Sequence, residues 1–212
     1  MKNENIIIFG DSYSAYKDYV PEGYGIYYPR EDGWMVTDAS KMWWGMLANE
    51  TESKIMLNDS WSGSTMCNTG YSGDCSKTNS FIFRLTNHIA DGFFEKNSID
   101  RAFILGATND SWSMNTCGEV MFSGWCEDDL KLILPGISYF VDLLASKVPS
   151  EKICFIVNTD LREEITEGII KICEHYNAEY VLLSDIDKVC NHPTAKGMEQ
   201  IKDQVLAKLN VN

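Results

Sequence analysis

The chain has 212 residues, 44% of them hydrophobic and 23% charged, proportions that suit a globular protein able to bury a core without cross-links. Lys and Arg number 18 against 31 Asp and Glu, a formal charge of −13 that repels a phosphate backbone and argues against nucleic acid as a partner. No run of about 18 apolar residues occurs, so no membrane partner is expected, and the apolar run near Met1 is too short for the core of a signal peptide.

The first element is Ile6-Ile7-Ile8-Phe9, short, rich in β-branched residues and stopped by Gly10, which reads as a buried parallel strand. Gly10-Asp11-Ser12-Tyr13-Ser14 follows and places a serine on a strand-to-helix turn. A loop is expected over 16–38, then a helix over Ser40 to Leu47. That helix carries Trp43 and Trp44. Adjacent helical side chains diverge by about 100°, so one tryptophan is expected in the core and the other toward the loops or a subunit contact.

A second strand runs from Lys54 to Leu57. The polar stretch Asn58-Asp59-Ser60-Trp61-Ser62-Gly63-Ser64-Thr65 comes next, where Gly63 allows a backbone N–H to approach a reacting carbonyl. The loop 59–79 leads to a helix over Ser80 to Ile89 and a third strand over Ala102 to Leu105. Gly106-Ala107-Thr108-Asn109-Asp110 then sets an asparagine at a strand end, as an amide donor or as a simple Asx turn. After the loop 108–128, Asp129 to Leu144 reads as a helix that Pro135 breaks or kinks. Strand Ile153 to Val157, helix Glu163 to Tyr176 and strand Tyr180 to Leu183 follow. The stretch Asp185 to Thr194 holds His192 before Pro193, and the last helix runs from Ala195 to Leu209.

Strands alternating with helices predict a three-layer α/β/α sandwich, a flavodoxin-like fold with a five-stranded parallel sheet, spanning 1–212 as one domain. Ligands of such sheets bind beyond the carboxyl ends of the strands, where the polar segments fall. His88 and His175 lie in helical stretches and read as surface or packing residues. His192 stands in a loop at a strand end.

The seven cysteines, an odd number with no signal peptide, read as reduced thiols in the cytoplasm. Cys154 and Cys173 fall in core elements. Cys67 with Cys75, and Cys117 with Cys126, share loops and would close small disulfide rings only in an oxidising compartment. The spacings match no zinc-binding set, so no metal and no cofactor is expected.

In chain order, the segments around Ser12, Gly63, Asn109 and His192 resemble blocks I, II, III and V of the SGNH (GDSL-like) hydrolase family. They span residues 9 to 194. The phrases Asn58 to Gly63, Thr108 to Trp112 and His192 to Met198 are similar to gut-bacterial members of it. The resemblance implies a serine esterase with Ser12 as nucleophile and His192 as general base. The backbone N–H groups of Ser12 and Gly63 and the amide of Asn109 would form the oxyanion hole. The family's Asp three residues before the His is Val189 here. Asp187 is the expected substitute, ahead of Asp185, unless a backbone carbonyl holds the imidazole and leaves a Ser–His dyad. The family's block III glycine is Ala107, with Gly106 adjacent, which suggests a shifted turn.

The implied substrate is a small ester. Trp34, Trp61, Trp112 and Trp125 in the loops favour an O-acetylated carbohydrate, with a short-chain lipid or thioester as runner-up. The Val189 departure keeps a non-catalytic carbohydrate-binding module on the same fold as an alternative, and the loop cysteines keep a redox or metal-binding protein as a third. The oligomeric state is left open.

Overall fold

The computed structural model describes residues 1–209. In chain order its elements are β1 (Asn5–Gly10), α1 (Trp43–Thr51), β2 (Lys54–Ser60), β3 (Thr69–Gly70), β4 (Gly73–Asp74), α2 (Phe81–Ala90), α3 (Phe93–Lys96), β5 (Arg101–Leu105), α4 (Thr108–Trp112), α5 (Ile133–Ala145), β6 (Ile153–Val157), α6 (Glu163–Tyr176), β7 (Glu179–Leu182), β8 (Lys188–Val189), β9 (His192–Pro193) and α7 (Ala195–Leu209). The five apolar runs pair in the order β2-β1-β5-β6-β7, every pair parallel. The order reverses between β1 and β5, and the carboxyl end of β1 therefore opens at the topological switch point.

Alternation along each strand divides the core into two layers. Ile6 and Ile8 of β1, with Phe103, Leu105, Cys154 and Ile156, pack under α1 and α7. Ile7 and Phe9, with Ala102, Ile104 and Phe155, pack under α2, α5 and α6. The result is the expected α/β/α arrangement. Among the described residues no helix is long and apolar enough to cross a membrane.

The structure departs from the sequence expectations in several places. Pro135 does not break a helix. A short 3-10 turn covers Asp129–Lys131, and α5 begins at Ile133, so the proline falls in the first turn, where its missing N–H removes no intrahelical bond. Likewise a 3-10 turn at Ala39–Lys41 precedes α1. β2 runs on through Asn58-Asp59-Ser60, which pair with Ile8, Phe9 and Gly10 of β1. Trp43 and Trp44 are both buried, because both indole N–H groups reach Ser14: Trp43 Nε1 donates to its hydroxyl at 3.0 Å and Trp44 Nε1 to its carbonyl at 2.9 Å. All seven cysteines are free thiols.

Gly10 ends β1 where three segments meet. A Cβ there would lie 2.5 Å from Ser14 Cβ and 2.6 Å from Ser60 Oγ. Gly10→Ala should therefore lower stability by about 1–3 kcal/mol. A urea midpoint equal to that of the wild type would show that the crowding is relieved at no cost.

Candidate active site

Ser12 sits one residue beyond the Gly10-Asp11 corner and is 4% exposed. Its turn is fixed on all sides. The Asp11 N–H donates to the Leu105 carbonyl at 3.3 Å, the Asp11 carbonyl accepts from Ser14 and Ala15, and Asp11 Oδ1 accepts from the Tyr13 N–H at 3.0 Å. Asn58 Nδ2 adds a bond to the Ser14 carbonyl. The Asp11 carboxyl is fully buried, and burial lifts its pKa to about 7 against the pull of the Tyr13 amide. Its Oδ2 makes no hydrogen bond among the described residues.

The loop after β2 folds against the same corner, with the Trp61 N–H donating to the Gly10 carbonyl at 3.1 Å. Gly63 adopts φ +78°, a left-handed conformation that glycine takes without strain. Asn109 lies in the first turn of α4, not in an open loop, and its Nδ2 donates to the Ser64 carbonyl at 3.0 Å. Asp110, fully buried, accepts the N–H groups of Met66 and Cys67 and pins the far side of that loop. The amides of Ser12 and Gly63 make no hydrogen bond among the described residues. Ala107 itself takes φ +69°, so the turn before Asn109 is not shifted toward Gly106, and an alanine stands in a backbone conformation that favours glycine.

Beneath these turns lies Arg84 of α2, 2% exposed. Its Nη1 donates to the Asp59 carbonyl at 2.6 Å and stands 3.0 Å from Asp59 Oδ1. Its Nη2 donates to the Gly10 carbonyl at 3.3 Å and the Ser64 hydroxyl at 3.2 Å. His88 is only partly a packing residue, since its Nε2 lies 3.2 Å from Asp59 Oδ2. Burial pushes the Asp59 carboxyl up, but Arg84 and His88 together hold it below its ordinary value.

His192 reaches this edge from the other end of the chain. Its Nε2 lies 2.9 Å from Ser12 Oγ, and its Nδ1 lies 3.0 Å from the Cys190 carbonyl. A carbonyl only accepts, so Nδ1 carries the proton and Nε2 presents its lone pair to the hydroxyl. The local cause is the β8–β9 hairpin. Val189 pairs with His192, and Cys190 and Asn191 form a two-residue turn with φ +48° and +61°, the type I′ pattern. That turn bends the Cys190 carbonyl back onto the imidazole.

Asp187 does not orient His192. With Val189 opposite the histidine, the next pair along the hairpin is Lys188 with Pro193, and beyond it Asp187 meets Thr194. The Asp187 carboxylate accepts from the Thr194 hydroxyl, and its carbonyl accepts the Thr194 N–H at 3.0 Å. Thr194 Oγ1 in turn accepts the Gly197 N–H, so Asp187 braces the start of α7. Asp185 makes no hydrogen bond to the imidazole either. Burial pushes the His192 pKa below its ordinary value, with the charges of Lys188 and Arg30 acting in the same direction and the Cys190 carbonyl opposing them. The ring is therefore neutral, and competent as a base, at pH 7.

Aromatic side chains surround the pair. Tyr27 stacks on His192 with ring centres 3.9 Å apart, Trp34 lies 5.5 Å away, and Trp112 meets it edge-on at 6.3 Å. Tyr71, 57% exposed on the β3–β4 hairpin, donates its hydroxyl to Asn109 Oδ1 at 3.1 Å. Trp61 packs against Tyr24 and lies over Arg84. Trp125 is elsewhere, edge-on to Tyr139 of α5. Tyr27, Tyr71 and Arg84 were not singled out from the sequence. Only Arg84 carried a signal, as a charged residue three positions after Phe81 on the apolar face of α2. No group of three or more metal-binding side chains occurs among the described residues.

The profile of the GDSL-like lipase/acylhydrolase family matches residues 4–209. A crystal structure described as a GDSL-like lipase from Bacteroides ovatus shares 35% identity, covers 100% of both chains and superposes with a TM-score of 0.87. A second, from Bacteroides uniformis, shares 33% identity over 98% of this chain and 96% of that one, with a TM-score of 0.86. An acetyl xylan esterase from the rumen bacterium Butyrivibrio proteoclasticus shares the fold at 17% identity, covering 99% of this chain and 64% of that one, with a TM-score of 0.64. No curated protein matches the chain.

Two outcomes are expected from the backbone and the buried acid. Ala107→Gly should raise stability by about 1 kcal/mol, read as a higher urea midpoint; a lower midpoint would mean the left-handed turn carries no strain. The Asp11 carboxyl binds its proton more tightly folded than unfolded, so its contribution to stability is full below about pH 3.9 and is lost as pH rises to about 7. Asp11→Asn should abolish that slope, gaining on the wild type by up to about 1.4 kcal/mol per pH unit between pH 4 and 7 and no further above it. Parallel urea curves at pH 4.5 and 7 would refute the raised value.

Proposed function

Since the chain belongs to the GDSL-like lipase/acylhydrolase family, we propose that this hydrolase is a serine esterase that works through an acyl-enzyme on Ser12, with His192 as base. The observation that carries the reading is the 2.9 Å approach of His192 Nε2 to Ser12 Oγ, with Nδ1 tied to a carbonyl. A serine hydroxyl is a weak nucleophile until a base within hydrogen-bond reach accepts its proton.

Ser12 Oγ attacks the ester carbonyl while Nε2 takes the hydroxyl proton. The oxyanion that forms is met by the N–H groups of Ser12 and Gly63 and by the Asn109 amide. Collapse breaks the bond to the alcohol oxygen, which leaves with the proton from Nε2. Water then enters, gives a proton to Nε2 and attacks the acyl-enzyme. A second collapse releases the acid and returns the proton to Ser12 Oγ. The arrangement is a dyad, with the Cys190 carbonyl in place of a carboxylate.

For the substrate we propose an O-acylated carbohydrate. Trp112 and Tyr71 are exposed beside the dyad and Asn109, flat faces suited to a sugar ring. The acetyl xylan esterase that shares the fold names the same substrate class for its own chain.

The test is an ester panel from p-nitrophenyl acetate to acetylated xylo-oligosaccharides. Ser12→Ala should lower kcat by at least about 10³-fold. Asn109→Ala should lower it about 10²–10³-fold, the cost of one oxyanion donor. Asp187→Asn should stay within about two-fold, since its carboxylate serves the helix cap. Oligosaccharide binding that survives Ser12→Ala, with no turnover of any ester by the wild type, would instead favour a non-catalytic binding module.

A further inference from the structure

We propose that Tyr27 is a positioning residue for the base: the face of its ring holds the imidazole plane of His192 and stabilises the positive charge that ring gains when Ser12 is deprotonated. The inference rests on the esterase reading of the site.

His192 lacks the group that usually does both tasks. Its two ring nitrogens are occupied by Ser12 Oγ and the Cys190 carbonyl, and among the described residues no carboxylate bonds to it. The charged groups facing it are Lys188 of β8 and Arg30 of the loop before α1, and both are cationic. Asp160 is turned to Lys188, 3.4 Å from its Nζ. The turn after β1 offers Ser12 and the Tyr13 ring, and α4 offers Trp112, all uncharged. An imidazolium here would meet two like charges and no anion.

Tyr27 lies flat against that ring, 3.9 Å between centres and 13° between planes. The face of a phenol carries the negative part of the ring quadrupole and attracts a cation held over it, more strongly as water is excluded. His192 is 5% exposed, so the contact is largely dry. The neutral imidazole gains much less, which makes the contact stronger in the charged state than in the resting one.

The stack is built in advance. The Tyr28 hydroxyl donates to the Pro193 carbonyl at 2.6 Å, and the Ala195 N–H donates to the Trp34 carbonyl at 2.7 Å. These bonds tie the residues just after Tyr27 to the residues just after His192, so the loop and the histidine segment form one unit. Trp34, nearly parallel to the imidazole at 12°, is 3% exposed and lies under the Arg30 guanidinium at 4.2 Å. That contact keeps the Arg30 charge on Trp34, and Tyr27 stays the ring in direct contact with the base.

Two variants separate the ring face from the hydroxyl and from mere bulk. Tyr27→Phe keeps the face, whereas Tyr27→Leu keeps apolar bulk without it. The chain has three histidines, so the imidazole signal of His192 can be followed by NMR titration in the substrate-free protein. Tyr27→Phe should leave kcat on p-nitrophenyl acetate and the His192 midpoint unchanged, within about two-fold and 0.2 pH unit. Tyr27→Leu should lower kcat about ten-fold with KM little changed, and shift the His192 midpoint down by about half a pH unit. A midpoint in Tyr27→Leu that is unmoved or raised overturns the proposal whatever happens to turnover, as does a Tyr27→Phe variant as impaired as Tyr27→Leu. A change confined to KM also overturns it, because it marks a substrate contact. If the wild type hydrolyses no ester, the esterase reading falls on that result alone, while the titration still reports whether the stack favours the charged ring.

Discussion

One guanidinium, that of Arg84, holds together the edge on which everything else is mounted. The carboxyl ends of adjacent parallel strands leave carbonyl groups that point out of the sheet, and in this protein loops cover them from water. Arg84 meets the carbonyls of Gly10 and Asp59 and the hydroxyl of Ser64, and the Asp59 carboxylate balances its charge. A buried carbonyl without a donor costs free energy, and a buried cation without a partner costs more. The turn bearing Ser12 and the loop bearing Gly63 therefore share one anchor. Their separation follows from the reach of a single planar fork of donors.

The other half of the site is held by main chain. A two-residue turn with both residues in the left-handed region returns the Cys190 carbonyl to His192, and the Tyr13 hydroxyl closes the turn from below by donating to the Asn191 carbonyl. The two halves meet at the Ser12–His192 hydrogen bond, across 180 positions of sequence. Long-range convergence of this kind follows from the topology, because β1 lies inside the sheet between β2 and β5 and the chain returns over its carboxyl end just before α7.

Much of this was legible beforehand. The five strands show as β-branched runs and the helices as apolar spacings, because a parallel sheet buried on both faces leaves little choice of residue. Ser12, Gly63, Asn109 and His192 could be named because four segments at strand and helix ends, each weak alone, resemble in order the blocks of the SGNH family. The partner of Nδ1 was harder to read. Counting residues back from His192 favours Asp187, but counting ignores the hairpin, in which Val189 is opposite the histidine and Asp187 is opposite Thr194. Tyr27 left no trace, since one aromatic in a long loop has no periodicity to betray its neighbours. Arg84 did leave one, a charge on an apolar helical stripe, and a buried charge of that kind marks a structural joint.

An orienting group made of peptide backbone has a consequence for how such a chain can vary. Every amino acid brings the same carbonyl, so replacement of Cys190 by another residue leaves the acceptor itself in place. What would dislodge it is a change of length, one residue more or fewer between Val189 and His192, because the hairpin would then aim a different oxygen. A substitution that keeps both turn residues left-handed keeps this acceptor in place, whereas an insertion or deletion replaces it.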